Sequence, residues 1–296
     1  MSGSRFFITD VFATERYSGN QLATVLHDGR MSDEEMQRVA AEFGFSETTF
    51  ILSAEPIGGG FPVRIFTPKA EIPFAGHPTL GTAAVLVRHI LTEPAEEVVL
   101  RPPVGPTPVL CPIANDENGL FRMLQREPEF EDGMDPRLVA DMIGLEPENI
   151  EPSWPISQVT TGLPFTVVPV RSLGALRSAC LDGERYEAWA EGVWAKGLLL
   201  FCVGGRSQSE DLAVRVFVPH LGIPEDPATG SANGCLAGYL LRHDVLGSQT
   251  IDVRVGQGHE VGRPSAIQLR ARREDEGYRI EIGGRVVDVA SGHLAI

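Results

Sequence analysis

Two stretches of this chain, "RIFTPKAEIPFAGHPTLGTAAVLVRHIL" (64–91) and "RVFVPHLGIPEDPATGSANGCLAGYLLRHDVL" (215–246), repeat each other. Arg64/Arg215, Phe66/Phe217, Pro68/Pro219, Ile72/Ile223 and Pro73/Pro224 match at a constant offset of 151. With a two-residue gap, "HPTLGTA" then lies on "DPATGSA", which pairs His77 with Asp226, Pro78 with Pro227, Gly81 with Gly230, Thr82 with Ser231 and Ala83 with Ala232. A strand, a Pro-rich turn and an apolar helix recur in one order, so the chain reads as two homologous halves. The period is far longer than that of a solenoid unit. The polar segment "REPEFEDGMDP" (126–136) marks the boundary, giving halves 1–128 and 129–296, with the last strands free to cross back to the first half.

The surrounding sequence fills in each half. "RFFITDVFA" and "NQLATVLHD" alternate as strands around a Ser18-Gly19 break. Ser32 and Glu35 form a capping box for the helix "DEEMQRVAAEF", and Gly44 stops it. "FSETTFILS", "QVTTGLPFTVVPV", "GLLLFCVGG" and "YRIEIGGRVVDVASGHLAI" are short strand runs between turn signals. The expected class is α+β: a duplicated two-domain fold, each half a barrel-like, mostly antiparallel sheet around a central apolar helix.

Composition narrows the function. A net charge of −15 excludes nucleic acid and anionic membrane surfaces as partners, since both require a basic face. The only lysines are Lys69 and Lys196, and neither lies in a site-like stretch, which argues against a Schiff-base cofactor. Cys111, Cys180, Cys202 and Cys235 are too scattered for a zinc site or a disulfide framework and read as buried thiols of a cytoplasmic protein. No run of about eighteen apolar residues suggests a membrane span.

The chemistry concentrates in the repeated loops. A small-residue turn feeding an apolar helix offers its unbonded N–H groups and positive dipole end to a carboxylate. Gly81 and Gly230 are expected to keep Cβ atoms clear of such a ligand. Capping by Thr82 and Ser231 would explain the same residues without a ligand, but the duplication favours a matched pair of anion sites. Asp226 and His77 each precede a proline and are expected to be extended. Glu225 reads as a solvated neighbour. Glu47, among Phe43, Phe45, Phe50 and Ile51, is the candidate general acid/base, because apolar surroundings disfavour its charged form. An outward-facing strand position is its bland alternative. "VGQGHEVGRPS" (255–265) contains G-x-G but no following helix, so a dinucleotide site is set aside for a hairpin, with Arg263 and Ser265 as possible contacts. His27, His89, His243 and His293 read as structural.

These motifs, "DVFA…GN" (10–20), "SETTF" (46–50), "FTPKAEIPFAGHPTLGTA" (66–83), "EDPATGSA" (225–232) and "GQGHEVGRPS" (256–265), resemble the PhzF (phenazine-biosynthesis) family of isomerases, whose fold is like that of diaminopimelate epimerase. The resemblance runs the length of the chain. It implies a cytoplasmic homodimer, an active site between two similar domains, and no cofactor. It gives Glu47 the acid/base role and makes His77, Asp226 and Ser231 groups that hold and polarise substrate. The backbone around Gly76, Thr229, Gly230 and Ala232 would take the substrate carboxylate, with Asn20 beside it. Gln21 stands where the family has proline. No cysteine occupies either loop, which excludes two-thiol racemisation. The expected reaction is proton movement on a small carboxylate-bearing substrate such as trans-2,3-dihydro-3-hydroxyanthranilate. The alternative is a non-catalytic protein that keeps the cleft to bind a metabolite or a partner.

Overall fold

The computed structural model describes residues 3–27, 29, 31–112 and 119–295. Asp28 and Ile296, the ends of two of the strand runs read from sequence, lie outside the described residues. The chain divides into two compact units, Met1–Leu124 with Gly283–Ile296, and Gln125–Ile282.

In the first unit the strands are β1 (Arg5–Val11), β2 (Asn20–Leu26), β3 (Glu47–Ile51), β4 (Phe61–Phe66), β5 (Glu71–Ile72), β6 (Glu97–Arg101), β7 (Thr107–Leu110) and β8 (Phe121–Leu124). The C-terminal strand Val286–His293 pairs antiparallel with β1. From β1 the ladder runs antiparallel to β2, parallel to β3, and antiparallel to β4. Strand β4 takes β5 antiparallel and β6 parallel, and β6 leads antiparallel to β7 and on to β8. Helix α1 (Asp33–Phe43) makes the crossover between the parallel strands β2 and β3. Ser32 and Glu35 cap it reciprocally, and Gly44 closes it with φ 66°. Its apolar face, Met36 and Ala40, packs with Val25, Phe50 and Phe66.

Helix α2 (Gly76–Val85) is buried over all ten residues and touches β1, β2, β3, β6, β7, β8 and the C-terminal strand. A helix apolar on every side is stable in water only when enclosed in this way. Gly81 lies in its middle rather than at its start. A Cβ there would stand 2.5 Å from Leu22 Cδ2 and 2.9 Å from Val11 Cγ2, so this glycine lets the helix approach the sheet. That corrects the expectation that it clears space for a ligand.

The second unit repeats the succession of pairings. Its strands are β9 (Glu129–Asp132), β10 (Ser157–Thr160), β11 (Pro164–Pro169), β12 (Gly197–Val203), β13 (Leu212–Val218), β14 (Ile223–Asp226), β15 (Thr250–Gln257), β16 (Ser265–Glu274) and β17 (Gly277–Gly284). Strand β10 is antiparallel to both β9 and β11, β11 is parallel to β12, and β12 is antiparallel to β13. Strand β13 takes β14 antiparallel and β15 parallel, and β15 leads antiparallel to β16. Helices α3 (Pro136–Met142), α4 (Leu173–Ser178) and α5 (Gly183–Ala190) share one core cluster with Val168, Leu198, Leu200 and Phe217 of the sheet. Helix α6 (Gly230–Arg242) is buried from Gly230 to Leu241 and touches β10, β11, β12, β15 and β16.

The side chains fix the register between the repeats, and it differs from the one expected. Arg64 binds Glu71 through Nε and Nη2 at 2.8 and 2.6 Å, and Arg215 binds Glu225 in the same way at 3.0 and 2.7 Å. The offset is therefore 151 at the arginines but 154 at the glutamates. The 3₁₀ turn Pro219–Leu221 and Gly222, which has φ 85°, lie between Arg215 and Glu225 and can hold the three extra residues. Gly76 and Gly230 each begin a helix, and three positions on Thr79 and Asn233 each bond back to the N-cap carbonyl. His77 thus corresponds to Ser231, not to Asp226, and Thr82 sits inside α2. Small residues recur throughout both loops, so the sequence could be slid by five positions and still match.

Two further corrections follow. Glu225 is not a solvated neighbour but half of a pair whose side chains are 9% and 10% exposed. Of the four cysteines, Cys202 and Cys235 are buried, whereas Cys180 is exposed, in the loop beyond α4, and Cys111 is half-buried. No helix of the described residues is long and apolar enough to cross a membrane.

Candidate active site

The candidate residues form two groups, one in each unit. In the first unit, Glu47 opens β3 opposite Leu22 of β2, and Asn20 opens β2 and is buried. His77 is the second residue of α2. It is helical rather than extended, so the pre-proline preference for extended backbone is overridden at the start of α2. Glu47 Oε2 stands 3.4 Å from His77 Nε2, with the side chains 12% and 5% exposed.

Phe50, the phenylalanine that shares β3 with Glu47, is not on its side of the strand. Side chains alternate along a strand, so Thr48 and Phe50 point away from Glu47. Phe50 faces α1 with Phe43, whereas Glu47 faces α2. The polar neighbour, His77, could not have been read from local sequence.

Burial of the His77 ring without a compensating charge pushes its pKa down to about 3, while a hydrogen bond to the Gln21 backbone favours the protonated ring and offsets only part of this. The ring is neutral at physiological pH, and its 3.4 Å approach to Glu47 is not an ion pair. A backbone contact that favours protonation is a carbonyl accepting from the ring. Nε2 makes no hydrogen bond among the described residues, so the contact with the Gln21 backbone falls to Nδ1. Proline at position 21 would offer the same carbonyl. The departure from the family turn therefore leaves this contact intact.

In the second unit Asp226 ends β14 and is buried. Thr229 is the N-cap of α6, followed by Gly230, Ser231 and Ala232 in the buried first turn. Thr229 Oγ1 donates to Asp226 Oδ2. Sequence reasoning missed two residues that hold this loop. Gln257, with no exposed surface, donates through Nε2 to the Asp226 carbonyl at 2.8 Å and to Thr229 Oγ1 at 3.1 Å. Its Oε1 accepts from Thr229 N at 3.3 Å and from Asn233 Nδ2 at 2.9 Å. A signal existed: Ile251, Val253, Val255 and Gln257 alternate along β15, and a polar side chain in an inward series must find buried partners. The motif "GQGHEVGRPS" joins β15 to β16 as a hairpin. Its Gly258, at φ +76°, comes so close that a Cβ would lie 2.4 Å from the Pro227 carbonyl. Ser265 Oγ bonds the Arg263 carbonyl at 2.9 Å, an internal use of that hydroxyl.

Helix capping separates these two groups from the rest of the chain. Ser32, Asp135, Ser172 and Asp182 each accept a first-turn N–H of α1, α3, α4 and α5. Helices α2 and α6, beginning after Ala75 and Thr229, have no side-chain cap. Their first-turn donors are available to an anion in the way a capped helix's are not. Of the remaining histidines, His27 contacts the Met31 carbonyl, His89 pairs with Asp288 at 2.9 Å, and His243 lies 3.6 Å from Asp132. Among the described residues no cluster of His, Cys, Asp and Glu could hold a metal ion.

The chain thus carries a sheet-rich α/β fold with a carboxyl–imidazole pair and two buried helix starts without side-chain caps. The chain matches the phenazine biosynthesis-like protein family, PhzC-PhzF, over residues 9–292 and belongs to that family. It is 34% identical over 309 residues to an uncharacterized isomerase of Mesorhizobium japonicum, covering 100% of both chains. It is 32% identical over 293 residues to the trans-2,3-dihydro-3-hydroxyanthranilate isomerase of Pseudomonas aeruginosa, covering 97% of this chain and 98% of that one. A solved phenazine biosynthesis protein of the PhzF family from Bacillus anthracis superposes with a TM-score of 0.90 at 27% identity, with 100% of both chains covered. The protein is an isomerase.

Proposed function

We propose that this isomerase shifts a proton between carbons of a small carboxylate-bearing substrate, such as trans-2,3-dihydro-3-hydroxyanthranilate, without a cofactor. The observation that carries the reading is the buried Glu47–His77 pair, in which the imidazole is neutral. A cationic partner would hold Glu47 as a carboxylate throughout. A neutral ring places no fixed positive charge against Glu47 and leaves it able to take and return one proton. Glu47 removes the proton from one carbon and delivers it to another on the same face.

Each unit holds one group of candidate substrate contacts. Asn20, Gly76, Glu47 and His77 come from the first, and Asp226, Thr229, Gly230, Ser231 and Ala232 from the second. An uncapped helix start holds the carboxylate, while Asp226 and Ser231 fix a substrate amino or hydroxyl group. Exclusion of water protects the carbanion-like intermediate. The enzyme works in the cytoplasm as a homodimer.

The test is incubation with trans-2,3-dihydro-3-hydroxyanthranilate in D₂O, with deuterium in substrate and product read by mass spectrometry. Incorporation with conversion supports the reading. Saturable binding with neither conversion nor exchange, across this compound and related small carboxylates, would assign the protein a metabolite-binding role instead.

A further inference from the structure

We infer that Gln257 is a positioning residue that acts through the Thr229 hydroxyl, turning it away from the helix it would otherwise cap and onto the carboxylate of Asp226. This rests on the reading of Asp226 as a substrate-holding group.

The argument is an accounting of protons. A primary amide has two N–H donors and one carbonyl. Both donors of Gln257 are used, one on the Asp226 carbonyl and one on Thr229 Oγ1, and its carbonyl accepts from Thr229 N and Asn233 Nδ2. The amide cannot be reversed, because the Asp226 carbonyl accepts only and the Thr229 N–H donates only. Thr229 Oγ1 receives a proton from Gln257, so its own single proton is free to point elsewhere, and it points to Asp226 Oδ2.

Threonine in the N-cap position ordinarily accepts an N–H from the first turn of its helix. Thr229 makes no such bond. One buried amide thus orders the donor on Asp226 and leaves the first turn of α6 uncapped for substrate. Gln257 is rigid in this role: it is wholly buried, and the next residue, Gly258, is seated on Pro227 of the same loop. The first unit lacks the device, since Ala75 stands at the N-cap of α2 and has no hydroxyl to direct.

The test uses Thr229→Val, which keeps the shape and removes the hydroxyl, Thr229→Ser, which keeps the hydroxyl, Gln257→Leu, and the Thr229→Val/Gln257→Leu double variant. Turnover of trans-2,3-dihydro-3-hydroxyanthranilate is measured for each, together with the Gln257 side-chain amide proton shifts by NMR. Loss of a hydrogen bond to a charged group predicts a fall in kcat/KM of roughly ten- to hundredfold for Thr229→Val. Thr229→Ser should restore most of it, and the double variant should be no worse than the poorer single one. In Thr229→Val one Gln257 amide resonance should move upfield as its acceptor is lost. Unshifted Gln257 resonances, wild-type turnover in Thr229→Val, or losses that multiply in the double variant would each overturn the relay. The NMR shift does not depend on substrate, so a moved resonance in a protein that turns over nothing would retain the relay and refute the functional reading.

Discussion

Lowering the pH should unfold this protein through His77, and the size of the effect follows from its environment. The ring titrates near 6.5 in an unfolded chain and near 3 when buried in α2 beside Glu47. Between those values the unfolded state binds the proton and the folded state does not, so stability falls as pH falls. The contribution is fully present above pH 6.5 and is lost progressively toward pH 3. At 1.36 kcal/mol per unit, the loss attributable to this ring is roughly 2 kcal/mol by pH 5 and about 5 kcal/mol by pH 3. Urea denaturation followed by circular dichroism at pH 7.5, 6.5, 5.5 and 5 measures it. His77→Gln removes the titration while other groups continue to act, so the difference in slope between wild type and variant isolates the ring. The variant should lose stability less steeply over pH 6.5–5 by about one proton's worth. Parallel slopes would refute the claim that His77 is buried neutral, and with it the reading of the Glu47 contact as uncharged.

Three other perturbations test the framework. Glu225→Gln strips one partner from the buried Arg215 pair and should cost about 3 kcal/mol in chemical denaturation. Gly81→Ala places a methyl group 2.5 Å from Leu22 and should destabilise by about 1–3 kcal/mol in thermal unfolding. Ser32→Ala removes the capping box of α1, a loss of about 1 kcal/mol with turnover unchanged.

Much of the architecture was legible because hydrophobic periodicity and turn chemistry are local. The capping box of α1, the strands bounding it and the apolar helices α2 and α6 all follow from neighbouring residues. The register between the repeats was not legible, because Gly, Pro, Ala and Thr fill both loops and distinguish poorly between alignments. The Arg64–Glu71 and Arg215–Glu225 pairs settle it, but each joins residues whose pairing depends on strand register. The site divides along the same line. Asp226, Ser231 and Glu47 stand out as polar groups in small-residue or apolar stretches. The contact of Glu47 with His77 joins residues 30 positions apart, and Gln257 reaches Thr229 across 28 positions. Alternation in β15 marks Gln257 as inward-facing, but only tertiary packing names its partners.

The central claim is that Glu47 moves the proton. Glu47→Gln retains the shape and cannot exchange a proton, so it should reduce deuterium incorporation from D₂O into trans-2,3-dihydro-3-hydroxyanthranilate by roughly 10²–10⁴-fold while leaving substrate binding nearly unchanged. Incorporation at the wild-type rate in Glu47→Gln would contradict the assignment and require another base.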